Sequence, residues 1–293
     1  MPRRNKSILT GRDAAVLADV YKYRYLSVSQ IARLHFPSRQ TAYRRLRAMT
    51  HLKLLCGFTA PNIPEHLYYL DIAGADVVAG SLGVEVAQLC WQQNTRTPKD
   101  YYFISHFLQI NDFRISLSRG APPEVSVLGF IPEYLGGRNA NGGVVKHIRD
   151  YVCDIERRQE SLNHTPDGVF ALIKSGMAAL FFLEIDRGTE VVGNDSKGVL
   201  KACRFYLNYL LSDGYQRYSQ DFACPRFRGF RTLFITTSEA RIQNIRQAVA
   251  GLGFPEKATK FLWLATQGQV QDTIFEDIWR SADPADSTRY RIG

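Results

Sequence analysis

The stretch FFLEIDRGTE, residues 181–190, begins as a buried strand and then carries two carboxylates. Side chains of a strand alternate between its two faces, so Phe182, Glu184 and Asp186 are expected to share one face. Glu184 and Asp186 would lie about 6.6 Å apart along the strand, given its rise per residue. Taken alone, this pattern is also explained by a core strand whose end emerges into solvent.

A third carboxylate precedes the neighbouring strand. The segment TPDGVF places Asp167 at the head of a strand that the short turn KSGM joins to the first. Antiparallel pairing through this turn would bring Asp167 beside Glu184 or Asp186. Three carboxylates at one strand end repel each other unless a cation lies among them, and Mg²⁺ or Mn²⁺ with oxygen ligands would remove the repulsion. We therefore expect Asp167, Glu184 and Asp186 to bind a metal.

The composition is that of a folded, soluble protein. Of 293 residues 45% are hydrophobic, including 17 Phe and 15 Tyr, which argues against disorder. No apolar run reaches the roughly 18 residues of a membrane helix, and the N-terminus lacks the apolar segment of a secretory signal. The five cysteines and six histidines show no zinc-site or disulfide spacing. A cytoplasmic protein without membrane contact is expected.

The positive charge is concentrated at the N-terminus. Residues 1–60 hold 12 Lys and Arg against two acids, a net +10, whereas the remainder holds 25 basic and 26 acidic residues, a net −1. Such a concentration is typical of a surface that binds a polyanion such as DNA.

The same N-terminal region predicts a winged helix-turn-helix. Thr10, Ser27 and Ser38 can each cap a short amphipathic helix, and LLCGF and HLYYL then read as a β-hairpin. We expect a winged helix-turn-helix domain at residues 1–85, a linker at 86–100 and a second domain at 101–293.

The third helix, RQTAYRRLRAM, would enter the major groove of double-stranded DNA. Its side chains away from the apolar stripe and near its leading end are Arg39, Gln40, Thr41, Tyr43 and Arg44. Arginine and glutamine can make paired hydrogen bonds to base edges, so Arg39, Gln40 and Arg44 are the candidate base readers. Arg45, Arg47 and Lys53 are candidate phosphate contacts. A solvated helix face, or a winged helix that binds protein, is the alternative.

In the second domain, strands alternate with helices, which predicts a mixed α+β or α/β sheet with helices on its faces. Pro166-Asp167 and Glu184 resemble the P-D…(D/E)-x-K pattern of restriction-endonuclease-like nucleases. Asp186 stands where that pattern has lysine. The best substitute is Lys201 on the following helix, ahead of Lys197 and Arg187.

A narrower resemblance covers roughly residues 8–240. HFLQINDFRISL, PDGVF, FFLEIDRGTE and LKACRFYLNYL are similar to segments of the replication-relaxation proteins of plasmids and mobile elements, a group that includes the C-type mobilisation relaxases. The resemblance implies a nuclease-like fold, with Asp167, Glu184 and Asp186 as catalytic and metal-site carboxylates and Lys201 as their cationic partner. Tyr206 and Tyr209 follow the site, but a chance position is a simpler explanation than a nucleophilic role because the chain has 15 tyrosines.

These observations favour a sequence-specific DNA-binding protein of a mobile element that acts at an origin-like site and nicks DNA there. Candidate partners besides double-stranded DNA are mobilisation or replication proteins and a second copy of the chain. One alternative is a transcriptional or replication regulator whose degenerate nuclease fold serves dimerisation or partner binding. The other is an interaction protein that does not contact DNA.

Overall fold

The computed structural model describes residues 9–89, 91, 101–138, 144–155, 160–188, 192, 198–254, 259–271 and 273–293. The chain forms two compact units, an N-terminal unit of residues 1–115 and a C-terminal unit of residues 116–293. The division falls inside a helix that the sequence places in the second domain. Most of the predicted linker lies outside the described residues, so the domain boundaries at 85 and 100 stay predictions.

The N-terminal unit contains three helices followed by a β-hairpin, in the order that the sequence predicts. Its elements are α1 (Gly11–Tyr23), β1 (Leu26–Ser27), α2 (Val28–His35), α3 (Arg39–His51), β2 (Leu55–Phe58), β3 (Leu67–Leu70), α4 (Ile72–Leu82), a 3₁₀ turn (Val86–Gln88) and α5 (Tyr101–Gly120). Strand β3 lies between β1 and β2 and is antiparallel to both.

The first three helices begin at the hydroxyl residues predicted to cap them. The side-chain oxygens of Thr10, Ser27 and Ser38 each accept a hydrogen bond from the backbone N–H three residues later, which satisfies a donor that the helix itself leaves unpaired. The apolar sides of these helices then bury a common core with α4 and the hairpin. Its fully buried members include Val16, Leu17, Ile31, Ala42, Leu46, Met49, Leu55 and Ala75.

The C-terminal unit is built on a large mixed sheet. Its elements are β4 (Val125–Pro132), β5 (Gly136–Arg138), β6 (Val144–Lys146), β7 (Asp150–Cys153), β8 (Ser161–His164), β9 (Gly168–Lys174), β10 (Met177–Ile185), α6 (Gly198–Leu211), a 3₁₀ turn (Gly214–Arg217), α7 (Tyr218–Asp221), β11 (Phe230–Thr236), α8 (Glu239–Ala250), β12 (Leu262–Thr266), α9 (Gln267–Val270), β13 (Trp279–Ser281) and β14 (Arg289–Tyr290). The sheet order is β14-β13-β12-β11-β10-β9-β4. This arrangement agrees with the mixed α+β class predicted from sequence.

The sheet combines antiparallel and parallel pairing. Strands β4, β9 and β10 pair antiparallel, whereas β10, β11 and β12 pair parallel. Parallel neighbours need a crossover connection, and the segments containing α6 and α8 provide it. Both helices pack on one face of the sheet, in a core that includes Leu180, Phe182, Phe205, Tyr206, Phe230, Phe234, Ile242 and Ile245.

A two-residue turn fixes the register of the β9–β10 hairpin. Ser175 and Gly176 both have positive φ, 50° and 76°, the backbone that a tight hairpin turn of this length requires. The pairing runs from Lys174 opposite Met177 to Gly168 opposite Leu183. A side chain at position 168 would displace the ring of Phe130, because an added Cβ would lie 2.1 Å from its Cζ.

The β7–β8 hairpin is anchored to the region of α6 and α7 by two ion pairs. Nε of Arg204 lies 2.7 Å from Oδ2 of Asp154, and both side chains are almost completely buried. Nε of Arg217 donates to Oδ1 of Asp150 at 2.7 Å, and the hydroxyl of Tyr218 donates to the other oxygen of this carboxylate. A buried charge is costly unless it is paired, so these contacts keep β7 in place. Strand β8 is held with it, because the two strands pair antiparallel.

The longest of the described helices, α5, has 20 residues, the length that spans a bilayer. Asp112, Arg114 and Arg119 interrupt its apolar character. Within the described part of the chain, no helix combines the length and apolarity needed to cross a membrane.

Candidate functional sites

Helix α3 turns its predicted DNA-reading residues outward. Ala42, Leu46 and Met49 are fully buried, so the opposite side of the helix faces solvent. The exposed residues there are Arg39, Gln40, Thr41, Tyr43, Arg44 and Arg47. The hydroxyl of Thr41 also lies 2.9 Å from that of Ser38, so Thr41 takes part in the cap of the helix. Lys53 is exposed just beyond the helix, in a left-handed conformation.

Arg45 on α3 makes two hydrogen bonds to a buried acid of the N-terminal unit. Its Nε donates to Oδ1 of Asp13 at 2.7 Å, and its Nη2 donates to Oδ2. Burial raises the pKa of Asp13, but hydrogen bonds from Arg45 and Thr10 outweigh it and leave the pKa below its usual value. The pair ties α3 to the start of α1, so phosphate contact by Arg45, expected from sequence, would compete with this role.

The structure brings Asp167 and Glu184 together. The β9–β10 pairing ends with Gly168 opposite Leu183, and Asp167 and Glu184 are the next residues beyond that pair on the two strands. Burial raises the pKa of Glu184, and the charge of the nearby Asp167 adds to that rise. The backbone N–H of Asp167 donates to the carbonyl of Leu183 at 3.0 Å, and the N–H of Ile185 donates to Oδ2 of Asp167 at 2.7 Å. Two carboxylates from adjoining strands therefore lie at one end of the hairpin.

Two hydrogen-bond partners hold the carboxylate of Glu184, and the sequence analysis predicted neither of these contacts. Nε2 of His164, at the end of β8, lies 2.7 Å from its Oε1, and the hydroxyl of Tyr206 on α6 donates to the same oxygen at 2.5 Å. Among the described residues no hydrogen bond is made to Oε2. The carboxylate is thus fixed through one oxygen and leaves the other available.

Burial dominates the electrostatics of this group. It raises the pKa of Glu184, and the neighbouring His164 and Tyr206 only partly offset that rise. Burial lowers the pKa of His164, but the charge and hydrogen bond of Glu184 outweigh it, so the pKa of His164 is raised. The raised pKa of His164 favours its protonated form beside the carboxylate.

Asp186 does not join the other two acids. It lies after the last residue of β10, and its carboxylate accepts hydrogen bonds from Arg241 on α8, from Thr236 and from the N–H of Gly188. Burial raises the pKa of Asp186, but these donors outweigh it and keep the pKa low. Across the described ranges, the three predicted ligands do not gather within reach of one ion. Asp186 is paired with Arg241 instead, and Asp167 and Glu184 stay the predicted metal ligands.

Glu133 is a carboxylate near Asp167 that the sequence did not single out. It follows β4, and its N–H donates to the backbone carbonyl of Asp167 at 3.3 Å. A carboxylate oxygen of Glu133 lies within 4.8 Å of one of Asp167, and Lys146 pairs with Glu133. No local motif marks this residue, because its approach depends on the pairing of β4 with β9.

Lys201, the predicted cationic partner, is half-buried on α6. Its charge lowers the pKa of His164, which places it in the electrostatic neighbourhood of Glu184. Lys197, the second candidate, lies outside the described residues. Tyr206 and Tyr209 are both almost completely buried, and burial raises the pKa of Tyr206 well above its usual value. A buried, protonated phenol is poorly suited to attack a phosphodiester.

The residues present fit a hard divalent cation. Carboxylate oxygens are the ligands that Mg²⁺ and Mn²⁺ prefer, and Asp167 and Glu184 supply them from two strands fixed in register. A carboxylate oxygen of Glu133, within 4.8 Å of one of Asp167, is a further oxygen donor beside Asp167.

A family model described as replication-relaxation matches residues 17–223, more than half of the chain. The matched range includes the exposed face of α3 and the acids of the β9–β10 hairpin. A search of curated proteins finds no match.

Proposed function

The chain belongs to the replication-relaxation family, and we propose that it is a sequence-specific double-stranded DNA-binding protein of a mobile element that nicks DNA at an origin-like site. Family membership indicates a role in the replication or relaxation of plasmids or mobile elements. In the proposal, the N-terminal unit is a winged helix-turn-helix that selects the site. The C-terminal unit is a restriction-endonuclease-like domain that acts on it.

The N-terminal unit supports site selection through shape and charge. Its order of three helices and a hairpin is that of a winged helix-turn-helix, in which the third helix enters the major groove. Helix α3 presents Arg39, Gln40 and Arg44 to solvent, side chains that can read base edges. Arg47 on the same helix and Lys53 just beyond its C-terminal end are exposed and would contact phosphates, which adds affinity but no sequence information.

One observation supports metal-dependent chemistry in the C-terminal unit: Asp167 and Glu184 lie at the same end of the β9–β10 hairpin, close enough for the charge of Asp167 to act on Glu184. These two acids would hold a Mg²⁺ or Mn²⁺ ion, and Glu133 would be a further candidate ligand, since its carboxylate lies within 4.8 Å of that of Asp167. The chemistry that such an ion supplies is polarisation of the phosphodiester and activation of a water molecule. Lys201 would neutralise the charge that develops on the phosphoryl oxygens, and His164 would keep Glu184 oriented.

A second function is favoured by a different observation. Asp186 is neutralised by Arg241, and the lysine of the nuclease pattern is absent from its usual place. A degenerate nuclease fold that serves dimerisation or binding of replication or mobilisation proteins would show both features. The chain would then be a DNA-binding regulator.

Nicking of supercoiled DNA separates these functions. The substrate carries the origin of the element that encodes the chain, and the reactions contain Mg²⁺, Mn²⁺ or EDTA. The proposal predicts a nicked circle with either metal, none with EDTA, and none with D167N or E184Q. A control variant, D213N, removes an exposed acid of the same unit and should nick normally. If the wild type binds the origin but never nicks it, the regulator is correct.

A further inference from the structure

Glu65 is an acid in contact with the basic outward face of α3. It lies in the loop between β2 and β3 and is fixed to the start of α2, where Ser29 donates its backbone N–H to Oε2 at 3.0 Å and its hydroxyl to Oε1 at 2.7 Å. A carboxylate is stable there because a helix N-terminus presents unpaired N–H groups and partial positive charge. The Glu65 side chain therefore has a defined position.

The other neighbour of this carboxylate is Arg39, the first residue of α3. Nη2 of Arg39 lies 3.5 Å from Oε1 of Glu65, and the arginine side chain remains 64% exposed. A cavity of about 400 Å³ opens beside the pair, with Gln40, Tyr43 and His66 among its walls. One side of the guanidinium thus faces a fixed acid, while the rest of it faces solvent.

An ionised acid at this place opposes non-specific binding to DNA. Burial raises the pKa of Glu65, but the Ser29 donors outweigh it, so the pKa lies below its usual value and the carboxylate is charged at neutral pH. A negative charge near the phosphates reduces the electrostatic attraction that supplies non-specific affinity. Its compensating effect would be to orient Arg39, since a guanidinium held on one side can present its remaining N–H groups in a fixed direction.

We propose that Glu65 is a positioning residue that aims Arg39 at a guanine edge in the major groove and so sets sequence selectivity. The acceptors N7 and O6 of guanine match two N–H groups of arginine. Pre-ordering the long side chain also reduces the rotamer entropy lost when the contact forms. The inference rests on the proposed DNA binding, but it concerns selectivity and not affinity or nicking.

The test uses the full chain and a duplex selected from a randomised library. Binding is measured to this duplex and to versions in which each G·C pair is replaced in turn by A·T, and selectivity is the largest ratio of Kd values. R39K keeps the positive charge but loses the two parallel N–H groups of the guanidinium. It should reduce selectivity by roughly 5- to 150-fold, the discrimination that one bidentate contact to a base provides. E65Q should reduce selectivity at the same base pair by at least about 3-fold while binding to unrelated duplex is unchanged or tighter.

Two further variants make the result specific. The double variant E65Q/R39K should be no less selective than R39K alone, since Glu65 acts through Arg39. D112N removes the same charge from the partner of Arg33 in the same unit and should leave selectivity unchanged. If E65Q does not fold, S29A decides, because it loosens the carboxylate without removing its charge and should also lower selectivity.

Full selectivity in E65Q, or in S29A where E65Q is unfolded, would overturn the inference. The inference would also be overturned if the double variant lost as much selectivity, in free energy, as the sum of the losses in E65Q and R39K. A wild-type chain that selects no duplex from the library would overturn the proposed function together with the inference, before any variant is compared.

Discussion

Arg241 donates to both carboxylate oxygens of Asp186, from Nε to Oδ2 at 2.9 Å and from Nη2 to Oδ1 at 3.0 Å. Strand alternation predicts that Asp186 shares a face with Glu184, but this ion pair joins Asp186 to α8. Asp186 consequently fixes the chain where it leaves β10, and the candidate ligands of the proposed metal are Asp167, Glu184 and Glu133.

Replacing Asp186 should therefore affect stability more than metal binding. In D186A the mostly buried Arg241 loses its partner, and we expect unfolding to become easier by about 3–5 kcal/mol. Urea denaturation measures this, and calorimetric titration with Mn²⁺ should give nearly the wild-type affinity. The matched control is D213A, whose ion pair with Arg226 is exposed and should contribute less than about 1 kcal/mol. Normal stability with abolished Mn²⁺ binding would restore Asp186 as a ligand.

Removing the hydroxyl of Tyr206 should make Mn²⁺ binding more sensitive to acid. The hydrogen bond from Tyr206 lowers the pKa of Glu184, which burial raises, so Y206F should raise that pKa further and protonate more of the ligand. We expect the loss of Mn²⁺ affinity relative to the wild type to be largest at the acidic end of the measured range, and the two proteins to converge as the pH rises. Titration between pH 5.5 and 8.5 measures it. Y215F alters a buried tyrosine whose hydroxyl interacts with Gln216 and Asp213, and should match the wild type throughout.

Arg45 and Arg47 should differ in their effect on DNA binding. Arg47 is exposed and would contact phosphate, so R47A should reduce the slope of log K against log salt by about 0.9. Arg45 is paired with Asp13, so R45A should leave that slope unchanged and lower the free energy of unfolding by about 1–3 kcal/mol. Equal reductions of the slope by both variants would show that Arg45 leaves Asp13 to bind DNA.

The same pair gives the stability of the chain a defined pH dependence. The pKa of Asp13 is lower in the folded chain than its usual value, so the folded state favours the ionised form. Its contribution is fully present above the unfolded pKa of about 3.9 and is lost as the pH falls through the folded value. D13N should be less stable than the wild type at pH 6, and the difference should narrow as the pH approaches 2. Urea midpoints across this range measure the change, and a constant difference would contradict it.

Local patterns were sufficient for much of the fold. The caps at Thr10, Ser27 and Ser38 follow from hydroxyl chemistry within one helical turn, and the approach of Asp167 to Glu184 follows from a short turn between two strong strands. Both depend on residues that are close in sequence, so propensity and periodicity contain the needed information.

The partners of the charged residues could not be predicted in the same way. Arg241 on α8 pairs with Asp186, which follows β10. Asp13 on α1 pairs with Arg45, so this arginine is not on the exposed face of α3. Strand alternation applies only within a strand, and Asp186 lies beyond the end of β10. Which cation fills the space beside a carboxylate depends on packing between distant segments, and a pattern within one segment does not contain that information.

The length of the turn at Ser175 and Gly176 determines which residues of β9 and β10 face each other, and therefore the positions of Asp167 and Glu184. Because facing residues in an antiparallel hairpin are counted from its turn, one extra residue there would shift one arm against the other and reverse which side chains point to the same face. Glu184 would then no longer meet Asp167, although every acidic, basic and aromatic residue of the unit were retained. The length of this loop, more than its composition, sets whether the two strands can share an ion.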